Sequence, residues 1–192
     1  MKAVLMSIKP NWCKLIWSGM KNVEVRKTRP KLKTPFKCYI YCTKKYPLIV
    51  FASRYDCLRG KLKTCVVPVT GFTRYKAEDL FETCNGHVIG EFICDDIRRI
   101  GPEYCAVKED IESAISGSCL TVPQVKDYAG WKSGMSYADL KDLYGWHISD
   151  LKIYDRPRPL SDFTRLRATK FGYEPVDIER PPQSWFYVED NE

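Results

Sequence analysis

Residues 19–27 read Gly-Met-Lys-Asn-Val-Glu-Val-Arg-Lys, which sets Lys21, Glu24, Arg26 and Lys27 within seven positions. The alternation over 22–27 predicts a strand. On a strand, Asn22, Glu24 and Arg26 point one way and Val23 and Val25 the other. Valines facing a core would turn Glu24 and Arg26 toward a cleft or solvent. Side chains two apart on a strand sit roughly 7 Å from each other, close enough to grip one small ligand. Arg26 offers a planar fork for a phosphate or a base edge. Glu24 accepts hydrogen bonds from exocyclic amines or ribose hydroxyls. Lys21 neutralises phosphate or, with a depressed pKa, acts as a base. The same residues also fit a plainer reading, an exposed strand edge carrying an internal ion pair, because charged strand edges are common.

Other residues add to this set. Lys9 precedes Pro10, and Thr43 and Lys44 close an aromatic-rich run in which Tyr41 suits either a ligand or the core. Trp146 and His147 are neighbours, so on a strand they face opposite ways. Trp146 suits the core better than a stacking platform, and His147 either lines the cleft or is a satisfied structural histidine. Glu91 alternates with Phe92 and ranks below Glu24. His87 follows a turn and is expected at the surface.

The charge distribution points to the partner. Residues 1–65 hold sixteen of the 31 Lys and Arg against two acids, Glu24 and Asp56, a net of +14, and the remainder is −7. A basic half beside an acidic half calls for a polyanion on the first. The basic, proline-flanked loop over 29–33 would extend that track. A hydrophobic share of 44% with 29% charged is that of a soluble globular chain. No run approaches the ~20 apolar residues of a membrane span. The N-terminus lacks a signal-peptide apolar region, which favours a cytoplasmic protein. Nine cysteines, an odd number without a Cys-x-x-Cys, read as reduced thiols buried as small hydrophobes. No metal and no cofactor are expected, and a monomer is favoured.

The elements that must hold these residues follow from periodicity. A strand is expected over 3–7, then a helix from Pro10 with Trp12, Leu15, Ile16 and Met20 as its apolar stripe and Gly19 at its end. Further strands are expected over 37–43, 64–71, 87–97 and 145–154, the third entered by the Asn85-Gly86 turn. Residues 109–115, 123–128 and 137–143 look helical. From Arg156 on, five prolines predict irregular chain pinned by Trp185, Phe186 and Tyr187. The order favours an α+β domain with a mostly antiparallel barrel and flanking helices.

Gly19, Lys21, Glu24 and Arg26 match Gly-x-Lys-x-x-Glu-x-Arg, and here the chain resembles the ASCH (activating signal cointegrator homology) family. Residues 7–10 resemble the family's start, 88–92 the strand after its Asn-Gly turn, and 146–151 its closing strand. The resemblance implies a PUA-like β-barrel over residues 1–155 with a helical insert at about 101–145, and an extension over 156–192 packed on it. It implies a cleft lined by the motif that binds RNA or a nucleotide-like ligand. Lys9, Lys21, Arg26, Lys27 and Lys44 would supply charge, and Glu24, Thr43 and His147 would select by hydrogen bonding. Some members are enzymes. One bacterial type hydrolyses an acetylated cytidine with the motif lysine, a threonine where this chain has Glu24, and a glutamate before a late helix. Here that last position is Ser118 or Ser133, so the activity is not carried over. A hydrolase on the same cleft, a ribonuclease or an amidohydrolase with Lys21 and Glu24 as acid and base, stays as the alternative to a binding module.

Overall fold

The computed structural model describes residues 1–45, 48–56, 61–69, 82–102, 108–132, 134–136 and 139–190, with backbone alone at 48–56, 61–69, 82 and 108–109. In chain order the elements are β1 (Lys2–Ile8), α1 (Pro10–Trp17), β2 (Val23–Arg26), β3 (Phe36–Cys42), β4 (Leu48–Asp56), β5 (Lys61–Val69), β6 (Glu82–Thr83), β7 (Val88–Cys94) and β8 (Ile97–Ile100). They continue with α2 (Lys108–Ala114), α3 (Val122–Ala129), β9 (Leu143–His147), β10 (Ser149–Arg158), β11 (Thr164–Thr169), β12 (Gly172–Asp177) and β13 (Trp185–Glu189). The result is an α+β protein dominated by sheets. The chain divides into two compact units: Met1–Trp17, Lys37–Phe92 and Leu151–Glu192 form the first, and Ser18–Phe36 and Ile93–Asp150 the second.

The first unit is built on a seven-stranded sheet of order β10-β7-β3-β1-β13-β11-β12. β1 is its middle strand, parallel to β3 and antiparallel to β13, with Val4 opposite Cys38 on one side and Tyr187 on the other. Ala3 through Ile8 are buried on both faces, which is why this strand reads as a continuous apolar run instead of an alternating one. Ala3, Leu5, Tyr39, Tyr41, Val88, Phe163 and Val188 form the core on one face. A smaller sheet of order β5-β4-β6 belongs to the same unit. In α1, Cys13 and Ile16 are buried. The helix stops at Trp17, and Gly19 takes φ +75, the left-handed conformation suited to glycine after a helix. Met20 therefore lies beyond the expected stripe and is 59% exposed.

Two expectations need correction here. The described sheets stay open and do not close into a barrel, and their ends explain why. β10 and β12 are the edges of the seven-stranded sheet, and each carries a proline, Pro157 and Pro175. Proline has no N–H for a further ladder, so it blunts an edge. The region after Arg156 is not irregular either. β11 and β12 form a hairpin with Leu166 opposite Pro175, and β13 lies between β11 and β1. An edge strand tolerates the proline that would exclude a central one, so counting prolines overstated the disorder of this segment.

The second unit holds the sheet β2-β9-β8. Val23, Val25, Ile100 and Leu143 pack against Ile111 of α2 and Val125 of α3. α3 begins with a capping box, in which Thr121 accepts from the Gln124 N–H and the Gln124 side chain accepts from the Thr121 N–H, and it ends at Gly130 in the left-handed region. The strand expected over 87–97 divides at Asp95-Asp96, because Asp96 O accepts the His147 N–H and Asp95 turns to the His147 ring. The helix expected over 137–143 lies partly outside the described residues. Of the rest, Asp139 makes a turn onto Ser136, and Leu143 already belongs to β9. None of the described helices is long and apolar enough to cross a membrane.

Candidate functional site: a buried ion network on a charged sheet face

β2 runs antiparallel to β9, with Val23 opposite His147, Glu24 opposite Trp146 and Arg26 opposite Tyr144. β9 continues to β8, where Trp146 faces Ile97 and Tyr144 faces Arg99. Directly paired residues share a face. One face of this sheet therefore carries Glu24, Trp146 and Ile97 in one row and Arg26, Tyr144 and Arg99 in the next. The other face carries the valines.

Glu24 bridges two cations. Its Oε2 lies 3.2 Å from Lys21 Nζ and its Oε1 lies 3.1 Å from an Arg26 terminal nitrogen. Lys21 Nζ also donates to the carbonyls of Val23 and Ser118, each at 2.7 Å. All three side chains are enclosed, at 2% exposure for Lys21, 9% for Glu24 and 8% for Arg26. Glu24 and Arg26 therefore do not face solvent, as an exposed strand edge would have required. Trp146, fully buried and edge-on to Phe36 at 5.8 Å, is the cross-strand neighbour of Glu24 on this face. Glu24 is ion-paired with both cations inside the unit.

The clamp that closes this network lies far along the chain. The carbonyl of Gly117 accepts both the Asn22 and Val23 N–H groups, and the Asn22 carbonyl accepts from Ile148. Gly117 takes φ +77, and a Cβ there would meet Asn22 Oδ1 at 1.8 Å. Glycine is required at this close approach. Ser118 is fully buried, and its hydroxyl accepts the Leu120 N–H. The Cys119 thiol donates to the Met20 carbonyl at 3.2 Å. Sequence reasoning missed the role of this turn. The glycine at 117 was its one signal, and the 97-residue separation of Lys21 from Ser118 hid the partner.

Tyr128 of α3 stands beside the network. Burial pushes its phenol above the ordinary 10.0, Arg26 opposes this and Glu24 adds to it. Lys27 is exposed, with Nζ 5.1 Å from the Tyr128 ring centre. The Arg29 guanidinium lies 5.8 Å from the centre of the Tyr144 ring.

The remaining candidates fall elsewhere. His147 sits opposite Val23, on the face away from Glu24, and its Nδ1 lies 2.6 Å from Asp95 Oδ1. That hydrogen bond is the main reason the Asp95 carboxyl is held below its usual 3.8. Lys9, Thr43 and Lys44 belong to the first unit, where Lys9 and Lys44 are exposed and Thr43 is half-buried. Gly86, at φ +87, brings the Asn85-Gly86 turn under the Lys44 side chain. Glu91 is also in the first unit, accepting from the Tyr154 hydroxyl at 2.6 Å. Burial first, and then this bond, push the Tyr154 phenol upward. His87 is half-buried instead of exposed. Among the described residues no three His, Cys, Asp or Glu side chains converge as a metal site.

Fold and site together define an α+β protein with a charged, aromatic-bearing sheet face that includes a buried ion network. No family model matches the chain, and no curated protein matches it. Among solved structures it is similar to ASCH from Zymomonas mobilis, at 16% identity over 97% of this chain and 87% of that one, with a TM-score of 0.48. Two single-substitution mutants of the same protein give 16% identity over 98% and 91%, and 15% over 97% and 88%, each with a TM-score of 0.48.

Proposed function

We propose that this protein is a binding module for RNA or a nucleotide-like ligand, working from the cationic face of the β2-β9-β8 sheet. The observation that carries the reading is the half-buried Tyr144 ring, with exposed Arg99 opposite it on β8 and the exposed Arg29 guanidinium 5.8 Å from its centre. A phenol ring flanked by two guanidiniums offers a stacking surface and charge together, which is the chemistry of nucleic-acid contact. In this reading Lys21 and Glu24 act by fixing Arg26, and ligand contact falls to the residues around them. Lys27 and the exposed Arg29, Lys31 and Lys33 extend the track within the second unit. Lys9 and Lys44, with the Thr43 hydroxyl, offer separate polynucleotide contacts in the first unit, and His147 offers one on the opposite face of the β2-β9-β8 sheet. A PUA-like ancestry, a monomeric state and a cytoplasmic location belong to the same proposal. The described cysteines are all free, which suits a reducing compartment.

The hydrolase reading asks Lys21 to exchange a proton with substrate. Its ammonium already faces three oxygens, those of Val23, Ser118 and Glu24. The deciding experiment is a screen of nucleosides, nucleotides and short RNA and DNA strands for binding, with turnover read in the same samples. RNA binding without turnover is expected, with log affinity falling linearly against log salt. Lys31→Ala with Lys33→Ala should reduce that slope by roughly 0.7 for each single-strand phosphate no longer neutralised. Absence of binding, or an affinity indifferent to salt, overturns the proposal. Product formation abolished by Lys21→Ala would establish the hydrolase instead.

A further inference from the structure

We infer that an open groove beside the sheet row is a phosphate site, by which the protein takes a phosphorylated nucleotide in preference to the bare nucleoside. The inference rests on the binding function proposed above. The groove lies wholly within the second unit and encloses about 470 Å³, a volume suited to a mononucleotide. Lys27, Arg99 and Lys141 line it with Tyr144, and Pro102 and Leu140 contribute apolar wall.

Among the described residues of this lining, Asp142 is the carboxylate, against three cations. It accepts from Arg99 Nε at 2.7 Å, which orients the guanidinium plane without neutralising the groove as a whole. Lys141 is carried on chain that is itself held, because its carbonyl accepts the Trp131 indole N–H at 2.9 Å. Tyr144 is half-buried, so its ring is fixed in the sheet while part of it stays accessible. Convergent cations suit the three oxygens of a phosphomonoester, since charge-assisted hydrogen bonds are about twice as strong as neutral ones. The adjoining ring gives a base a surface to lie on. A carboxylate ligand would use the charge and leave the ring idle, and a neutral nucleoside would do the reverse. A nucleotide uses both.

The test is calorimetric titration of the full chain at low salt with uridine 5′-monophosphate, uridine and inorganic phosphate. The monophosphate should bind about tenfold or more tightly than uridine, as one or two charge-assisted hydrogen bonds require. Lys141→Ala and Arg99→Ala, both at exposed side chains, should collapse that ratio toward one. Lys132→Ala, an exposed charge outside the groove lining, should leave it intact. Tyr144→Leu should weaken both ligands. Equal affinity for uridine and its monophosphate, a ratio unmoved by Lys141→Ala, or phosphate alone binding as well as the nucleotide would each overturn the inference. If short RNA binds and the monophosphate does not, the groove inference fails and the proposed function stands. If no nucleoside, nucleotide or RNA binds, the function itself falls.

Discussion

Replacing Glu24 with Gln keeps the side chain's size and removes the carboxylate that Lys21 and Arg26 share at 3.2 and 3.1 Å. Both cations would then remain buried without that counter-charge. Removing one partner of a buried ion pair costs about 3–5 kcal/mol. The lower end applies here, about 3 kcal/mol, because Lys21 keeps the carbonyls of Val23 and Ser118. For a chain of this size each kcal/mol lowers Tm by about 2–4 °C, so a fall of roughly 6–12 °C is expected. Lys21→Met leaves Glu24 balanced by Arg26 but strips the donor from two carbonyls, at about 1–3 kcal/mol each. The double variant should then be less destabilised than the sum of the singles, by about 1 kcal/mol or more. Urea unfolding read by tryptophan fluorescence measures all three, with Trp146, opposite Glu24 and fully buried, as a local reporter. A Glu24→Gln effect within about 0.5 kcal/mol, as at an exposed strand position, would refute the reasoning, and so would an additive cycle.

Gly117→Ala and Gly130→Ala both force alanine into the left-handed region, at φ +77 and +80, but a Cβ meets Asn22 Oδ1 at 1.8 Å in the first and open space in the second. Each should lose about 1–2 kcal/mol for the backbone, and urea unfolding should show an added loss at Gly117 alone. Among the described cysteines, a thiol reagent at neutral pH should label exposed Cys119 first, and Cys38, Cys42, Cys84 and Cys94 only on unfolding, since all four are buried and burial pushes Cys84 and Cys94 up to about 12. Rapid native labelling of Cys94 by mass spectrometry would contradict this. Because the Asp95 carboxyl is held below 3.8, its stabilising share is complete above that pH and is lost as pH falls through the folded value. Asp95→Asn should therefore flatten the acid limb of the stability curve below about pH 4, by under ~1 kcal/mol at so exposed a pair.

Much of the framework could be read from order and periodicity alone. The first strand, the helix from Pro10, the glycine that ends it, the Asn-Gly turn and the 122–129 helix are each specified by neighbouring residues, through 3.6- and 2-residue periods and the few residues that accept a turn. The alternation of Val23, Glu24, Val25 and Arg26 correctly divided β2 into an apolar and a charged face. The site's character was not contained there. Whether the charged face met solvent depended on what the rest of the unit packed around it, and whether Lys21 was available depended on Ser118 in a distant turn. The tail's prolines were compatible with strands because their segments became edges, which is a property of sheet order. Local sequence determined the secondary structure and the placement of charge. Cross-strand register and long-range hydrogen bonds, such as that between Lys21 and Ser118, 97 positions apart, decided which charges are buried, which are paired and which stay exposed. A side chain's own neighbours set its direction, but its burial is set by whatever the rest of the chain packs against it.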